Sequence, residues 1–449
     1  MASNGTAPTT RWATALVGIL ALAGAFAIAG PVAAANASEH QVPDLPQVEG
    51  PFDPPVIDAF ELAQPEQVED FGYTYDEYLV SGTAAGESYE VRMLIARPDD
   101  LSRFSGHSII EPKHPIGVPF VWNFTRLYLM ERGHGSVELM TFPSTIELFR
   151  GANPDRYADL HATDDQTSDI FAQVGRLLKS GQSPLPGVEA MYMTGHSRAS
   201  GPVWQFADTH HEQFRLEDES PIIDAYFPET TRTAARLGPF PDVDVPVLWI
   251  NSQLEVEVVY AEEGIDYRKP DSDEPGKQFR LYEVAGLPHH DSRVNPFYQH
   301  EPCDDPLNRF PYKPMISMAL DHLLRWVRDG VPPPRADRIS ATLGPGGEVE
   351  FDEHGNAVGG VRHTYVDVPH ATHSPLNSGP DPNCLALGSQ QPFSPEKMRE
   401  LYRNRGGYVS RVNRRLNELV RQGWYLKENA AELRTEAAKF DGFEGGDGP

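Results

Sequence analysis

Hydrophobic positions along the middle of the chain fall into two alternating patterns. Short segments at residues 106–112, 136–140, 191–194, 222–227, 245–251 and 279–284 read as strands, 191–194 as the end of a buried one. Between and after them, residues 120–132, 167–179, 198–210 and 315–328 carry apolar residues at helical spacing. Helix stops agree with these limits: Gly133 and Gly181 follow two of the segments, and Gly330 with Pro332-Pro333-Pro334 follows the last. Upstream, residues 72–80 and 89–96 alternate apolar and polar positions and are joined through Gly82 to Gly86, the pattern of two antiparallel strands. Strands alternating with helices predict an α/β fold, with a mostly parallel central sheet flanked by helices and an antiparallel edge.

The flanks read differently. Residues 38–70 are predicted to be an irregular arm, because Pro43, Pro46, Pro51, Pro54 and Pro55 interrupt any helix. The core is expected over 71–336 and a C-terminal extension, packed on it, over 337–449. In that extension, residues 348–351 and 357–368 are predicted to form a hairpin turned at Glu353-His354-Gly355-Asn356. Ser394 and Pro395 then open a helix as N-cap and first residue, and helices follow over 408–420 and 427–439. Arg411, Arg414 and Arg415 read as a solvated face.

The N-terminus changes the expected compartment. Arg11 precedes an apolar run over 12–29, and small residues continue to Ala37. This is the order of a cleavable signal peptide over residues 1–37, with an uncleaved anchor as the alternative. The chain is therefore expected to be secreted or extracytoplasmic, without stable membrane insertion after cleavage. Export permits a disulfide between Cys303 and Cys384, the only cysteines. A net charge of −27 argues against binding nucleic acid through its phosphates.

The chemistry centres on Gly195-His196-Ser197-Arg198-Ala199, placed between a predicted strand and a predicted helix. A Gly-x-Ser-x-small pentapeptide in that context forms a sharp turn that lifts the serine out as a nucleophile. A serine hydroxyl needs a histidine to take its proton and an acid to orient that histidine. The histidine belongs after the last core strand, where His289 and His290 stand side by side; their positions alone do not separate them. The acid belongs after the preceding strand. Glu255 is nearest the strand end, Glu257 is second, and Glu229, one strand earlier, is third. An oxyanion hole would use the backbone N–H of Arg198 and one from the loop after Ile110, at Lys113 or His114. A metal site is not expected at His289-His290-Asp291, since adjacent side chains diverge.

With these residues in hand, the chain resembles the bacterial "alpha/beta hydrolase domain" proteins of the α/β-hydrolase superfamily. The resemblance runs from about Tyr89 to the C-terminus. It rests on Phe104-Ser105-Gly106 before Ile109-Ile110-Glu111, on Gly195-His196-Ser197-Arg198, and on Ala285-Gly286-Leu287-Pro288-His289-His290-Asp291. Gly355-Asn356-Ala357 with Gly359-Gly360-Val361-Arg362 also belongs to it. The resemblance implies the α/β-hydrolase fold, places the nucleophile on Ser197, the base on His289 and the acid on Glu255, and implies a serine esterase needing no cofactor or metal. Its substrate would be a small-molecule or lipid-like ester, with an amidase, peptidase, acyltransferase or non-catalytic binding protein as alternatives. The chain departs from the family pattern after Glu111, where Pro112-Lys113-His114-Pro115 stands in place of Trp and Asn.

Overall fold

The computed structural model describes residues 40–293 and 303–443. The expected signal peptide, 1–37, lies outside the described residues. One sheet of nine strands organises the molecule. In chain order the strands are β1 (Gln47–Phe52), β2 (Tyr73–Ala84), β3 (Glu87–Pro98), β4 (His107–Pro112), β5 (Gly135–Leu139), β6 (Ala190–His196), β7 (Ala225–Glu229), β8 (Val247–Ser252) and β9 (Phe279–Val284). Their spatial order is β1-β2-β3-β5-β4-β6-β7-β8-β9. The first three strands and β5 pair antiparallel, and the remainder pair parallel. The fold is thus the mixed, mostly parallel sheet that the hydrophobic pattern predicts.

The pleat sends alternate residues of each strand into two different cores. Ile109, Tyr192, Phe227, Leu248, Ile250 and Tyr282 pack on one face, against the helices Phe120–Glu131 and Tyr312–Asp329. Ile110, Met191, Met193, Tyr226, Trp249 and Leu281 pack on the other, against the helix Thr167–Lys179 and Val203 and Phe206. Strands buried on both faces favour continuous apolar runs, which is why Ala190-Met191-Tyr192-Met193 of β6 and Val247-Leu248-Trp249-Ile250 of β8 stand out in the sequence. Leu416, Leu419, Tyr425, Ala430 and Leu433 of the C-terminal region share the first core with Leu320, Leu323 and Trp326.

Two local expectations are corrected. The 38–70 segment is not wholly irregular, because β1 adds an antiparallel edge strand beside β2, Gln47 opposite Ser81. Pro51 is tolerated there because an edge strand leaves one row of N–H positions unpaired. Residues 357–368 do not form a long strand. Only isolated bridges occur among the described residues, Phe351 with Ala357, Ile339 with Gly359 and Val284 with Val361, and Thr364–Asp367 is a helical turn. Gly359 and Gly360 take φ of 81° and 69°, which ends an extended run. The expected turn does form, closed by Asp352 N–H to Asn356 O at 2.8 Å. Cys303 and Cys384 are joined in a disulfide. No helix among the described residues is long and apolar enough to cross a membrane.

Candidate active site

The sheet order contains a reversal at β4. The chain leaves β4 for β5 on one side and returns to β6 on the other. Loops from the carboxyl ends of the two strands diverge there, and open α/β sheets bind ligands at such a point. Ser197 immediately follows β6 and takes φ of 54°, a left-handed backbone that a side chain adopts only under constraint. A Cβ on Gly195 would stand 2.3 Å from the carbonyl oxygen of Ala199, so only glycine lets the helical run from Ser197 to His210 fold back this closely. The Ser197 side chain is half-buried, and Arg198 is exposed.

The loop after β9 brings His289 to this serine. His289 Nε2 lies 2.8 Å from Ser197 Oγ, and His289 Nδ1 lies 2.7 Å from Glu255 Oε1. Glu255 is held by a capping box at the end of β8. Its Oε2 accepts the Ser252 N–H at 3.0 Å and the Ser252 hydroxyl at 2.6 Å. Burial alone would raise the Glu255 carboxyl, but the His289 imidazole and the Ser252 hydroxyl hold it below its ordinary value. Gln253 ties the two loops together. Its N–H donates to Leu287 O at 3.1 Å, and its Oε1 accepts the Gly286 N–H at 2.7 Å.

The other sequence candidates take different places. Glu257 accepts from Gln253 Nε2 at 2.7 Å, and burial pushes its carboxyl up to about 7. Glu229 bonds Nδ1 of His196, with the Thr230 hydroxyl 2.8 Å from the same nitrogen. His196 Nε2 meets His290 Nδ1 at 2.9 Å. A fully buried Glu229–His196–His290 chain therefore runs beside the Ser197–His289–Glu255 one, and Tyr312 links them. Its hydroxyl bonds Glu229 and donates to the backbone oxygen of His289 at 3.1 Å. Phe120 covers the second chain, its ring centroid 4.5 Å from that of His196 and 5.3 Å from that of His290.

Burial pushes Glu229 up to about 8, and burial with the neighbouring His289 pushes the His196 ring well below its ordinary value. The second chain is accordingly neutral at pH 7. Tyr312 and Thr230 carry no sequence signal of their own. Glu229 does, as a carboxylate just past the predicted 222–227 strand, and the register then sets it directly opposite His196.

Lys113 is corrected as an oxyanion donor. Its N–H continues the β4–β5 ladder to Leu139 O at 2.7 Å, so that donor is already used. Its ammonium is fully buried between Asp58 at 2.8 Å and Glu138 at 2.7 Å. The His114 N–H is also engaged, with Val118 O at 3.0 Å. Arg198 directly follows Ser197 in the helical turn Ser197–Ala199.

Nitrogens of His196, His289 and His290 lie close enough together to hold a metal ion. An ion takes one nitrogen from each ring, so it would compete with the bond between His196 and His290 and with one of the two His289 bonds, to Ser197 or to Glu255. The arrangement as it stands is suited to proton transfer from Ser197 to an oriented imidazole.

The profile of the family described as "Alpha/beta hydrolase domain" matches residues 29–435. No functionally curated protein matches. Among solved structures, the chain is similar to a cold-adapted esterase from an Arctic intertidal metagenomic library, at 10% identity and a TM-score of 0.24, over 40% of this chain and 71% of that one. It is similar to a putative dienelactone hydrolase from Klebsiella pneumoniae at 14% identity and a TM-score of 0.26, over 40% and 73% of the two chains. Similarity to the esterase Est22 is at 11% identity and a TM-score of 0.29, over 43% and 68%.

Proposed function

We propose that this chain, which belongs to the alpha/beta hydrolase domain family, is a serine hydrolase that cleaves carboxylic esters through an acyl-enzyme. The observation that carries the reading is the unbroken line of hydrogen bonds from Ser197 Oγ through His289 to Glu255, with the serine on a strained turn.

In this reading Ser197 Oγ attacks the ester carbonyl carbon as His289 Nε2 takes its proton. The carbonyl π pair moves to oxygen, which the Arg198 N–H stabilises. Collapse of the tetrahedral species expels the alkoxide, which takes the proton from His289, and leaves the acyl group on Ser197. Water then attacks the acyl carbon with His289 as base. The carboxylic acid leaves, and the Ser197 hydroxyl is restored. Glu255 keeps the imidazole in one tautomer and stabilises the imidazolium.

The substrate class is a small-molecule or lipid-like ester. The same acyl-enzyme would serve an amidase or an acyltransferase, and products formed with an added alcohol or amine acceptor separate these. We read the protein as exported, a reading favoured by the Cys303–Cys384 disulfide and the order of residues 1–37.

The test is steady-state hydrolysis of short p-nitrophenyl esters by the protein beginning at residue 38, beside Ser197→Ala and His289→Ala. The expected result is turnover by the wild type and a loss of several orders of magnitude in both variants. A wild type inert across ester and amide substrates would sink the reading.

A further inference from the structure

We propose that the side chain of His114, through Nε2–H, is the second donor of the oxyanion hole, a role that rests on the serine-hydrolase reading above. An oxyanion hole needs a second donor beside the Arg198 N–H, and the loop after β4 is where one is expected. The backbone of that loop has little left to give. Lys113 N–H is bonded to Leu139 O at 2.7 Å, His114 N–H to Val118 O at 3.0 Å and Gly117 N–H to His114 O at 2.7 Å. Pro115 has no N–H, and the Ile116 N–H is directed at His114 Nδ1, 3.4 Å away.

That last contact sets the tautomer. A ring nitrogen that accepts an N–H carries no proton, so in the neutral imidazole the proton sits on Nε2. His114 Nε2 is buried and has no hydrogen-bond partner among the described residues. A buried donor left unpaired is costly, and in a native protein it calls for an explanation. A substrate oxyanion that arrives during the reaction supplies one.

The ring is also in the right neighbourhood. Its centroid lies 6.4 Å from that of His196, the residue before Ser197, and 5.1 Å from that of Phe120. Burial, then the neighbouring His196, Arg198 and His289, push the His114 ring well below its ordinary value. The ring stays neutral and keeps a single donor across the working pH range. The loop that presents it is anchored from two sides. The Thr145 hydroxyl donates to His114 O at 3.1 Å, and Glu111, at the end of β4, accepts the N–H groups of Val121 and Trp122 at 3.1 and 2.8 Å.

The test compares wild type, His114→Phe and His114→Gln in ester hydrolysis and in binding of an aryl trifluoromethyl ketone. That ketone forms a hemiketal oxyanion with the nucleophilic serine. Removing one oxyanion donor is expected to lower kcat by about 10²- to 10³-fold. His114→Phe should show that loss with KM nearly unchanged and a matching loss of ketone affinity. His114→Gln, whose amide N–H reaches a similar position, should recover at least about tenfold of both.

The proposal is overturned if His114→Phe keeps kcat within about threefold of wild type. It is overturned equally if kcat falls without a parallel loss of ketone affinity, or if Gln recovers nothing while its thermal unfolding matches wild type. Should His114→Phe fail to fold, the Gln variant alone decides. The proposal then stands if kcat and ketone affinity fall together at unchanged KM, and falls if they do not. If wild type itself turns over no ester and Ser197 takes up no fluorophosphonate, the serine-hydrolase reading has failed, and the role of His114 falls with it.

Discussion

Glu229 stands directly opposite His196 in the β6–β7 register and places its carboxyl on Nδ1 of that ring, not on His289. The strand position that can supply an acid to a catalytic histidine is thus occupied, but it serves the residue before the nucleophile. With Tyr312 bonded to both Glu229 and the His289 carbonyl, this second buried chain acts as a brace for the first.

The brace has a pH signature. Burial raises Glu229 from 4.5 to about 8, so the folded protein holds a proton that the unfolded chain releases above about 4.5. Stability from this group is complete below 4.5 and is lost as pH rises toward 8. The loss is up to about 5 kcal/mol across that interval. Glu229→Gln resembles the protonated carboxyl. Urea unfolding at pH 5 and pH 8 should show wild type losing more stability than the variant between the two. Parallel losses would show that Glu229 does not hold the proton.

Glu255 and Glu257 are two residues apart but differ in kind. Glu255 contacts His289 at 2.7 Å, whereas Glu257 contacts Gln253. At pH 7.5, Glu255→Gln should lower kcat by about 10²- to 10⁴-fold, because the amide favours the wrong imidazole tautomer. Glu257→Gln should change kcat by less than about threefold. Steady-state kinetics on one ester substrate checks both, and a reversed order would move the acid to Glu257.

The disulfide spans a sequence separation of 81 residues. A loop of that length predicts a loss of about 4 kcal/mol in Cys303→Ser/Cys384→Ser, from the freed unfolded chain. Unfolding of the oxidised wild type and the double variant measures it. Equal stability would mean that the bond constrains nothing in the unfolded state.

The elbow depends on close backbone approach. Gly195→Ala puts a methyl group 2.3 Å from Ala199 O, and either the strand or the helix must shift. We expect a cost of about 1–3 kcal/mol in stability and a large loss of activity from a displaced Ser197. Thermal unfolding with kinetics tests this, and a fully active, equally stable variant would refute the packing argument.

Much of the fold was legible because its signals are local. Strands buried on both faces announce themselves as apolar runs, as Val247-Leu248-Trp249-Ile250 does, and the elbow carries its glycine and serine in one pentapeptide. The missed features depend on partners far away in sequence. β1 is a short, proline-containing edge whose strand character comes from β2. The expected strand at 357–368 fails because two consecutive glycines take positive φ, which sequence permits without requiring. Lys113 failed as a donor because its N–H pairs with Leu139 across the sheet, a bond with no side-chain signature. The brace was half visible: Glu229 and His290 stood among the candidates, but their link through His196 required the register.

An activated Ser197 should react with a serine-directed electrophile faster than any other hydroxyl of the chain. The most direct test is intact-mass and peptide mass spectrometry of the protein after brief exposure to a fluorophosphonate, with Ser197→Ala alongside. One adduct per chain is expected, located on Ser197, absent from the alanine variant and slowed strongly by His289→Ala. An unlabelled wild type, or an adduct on a different residue that persists in Ser197→Ala, would contradict an activated Ser197.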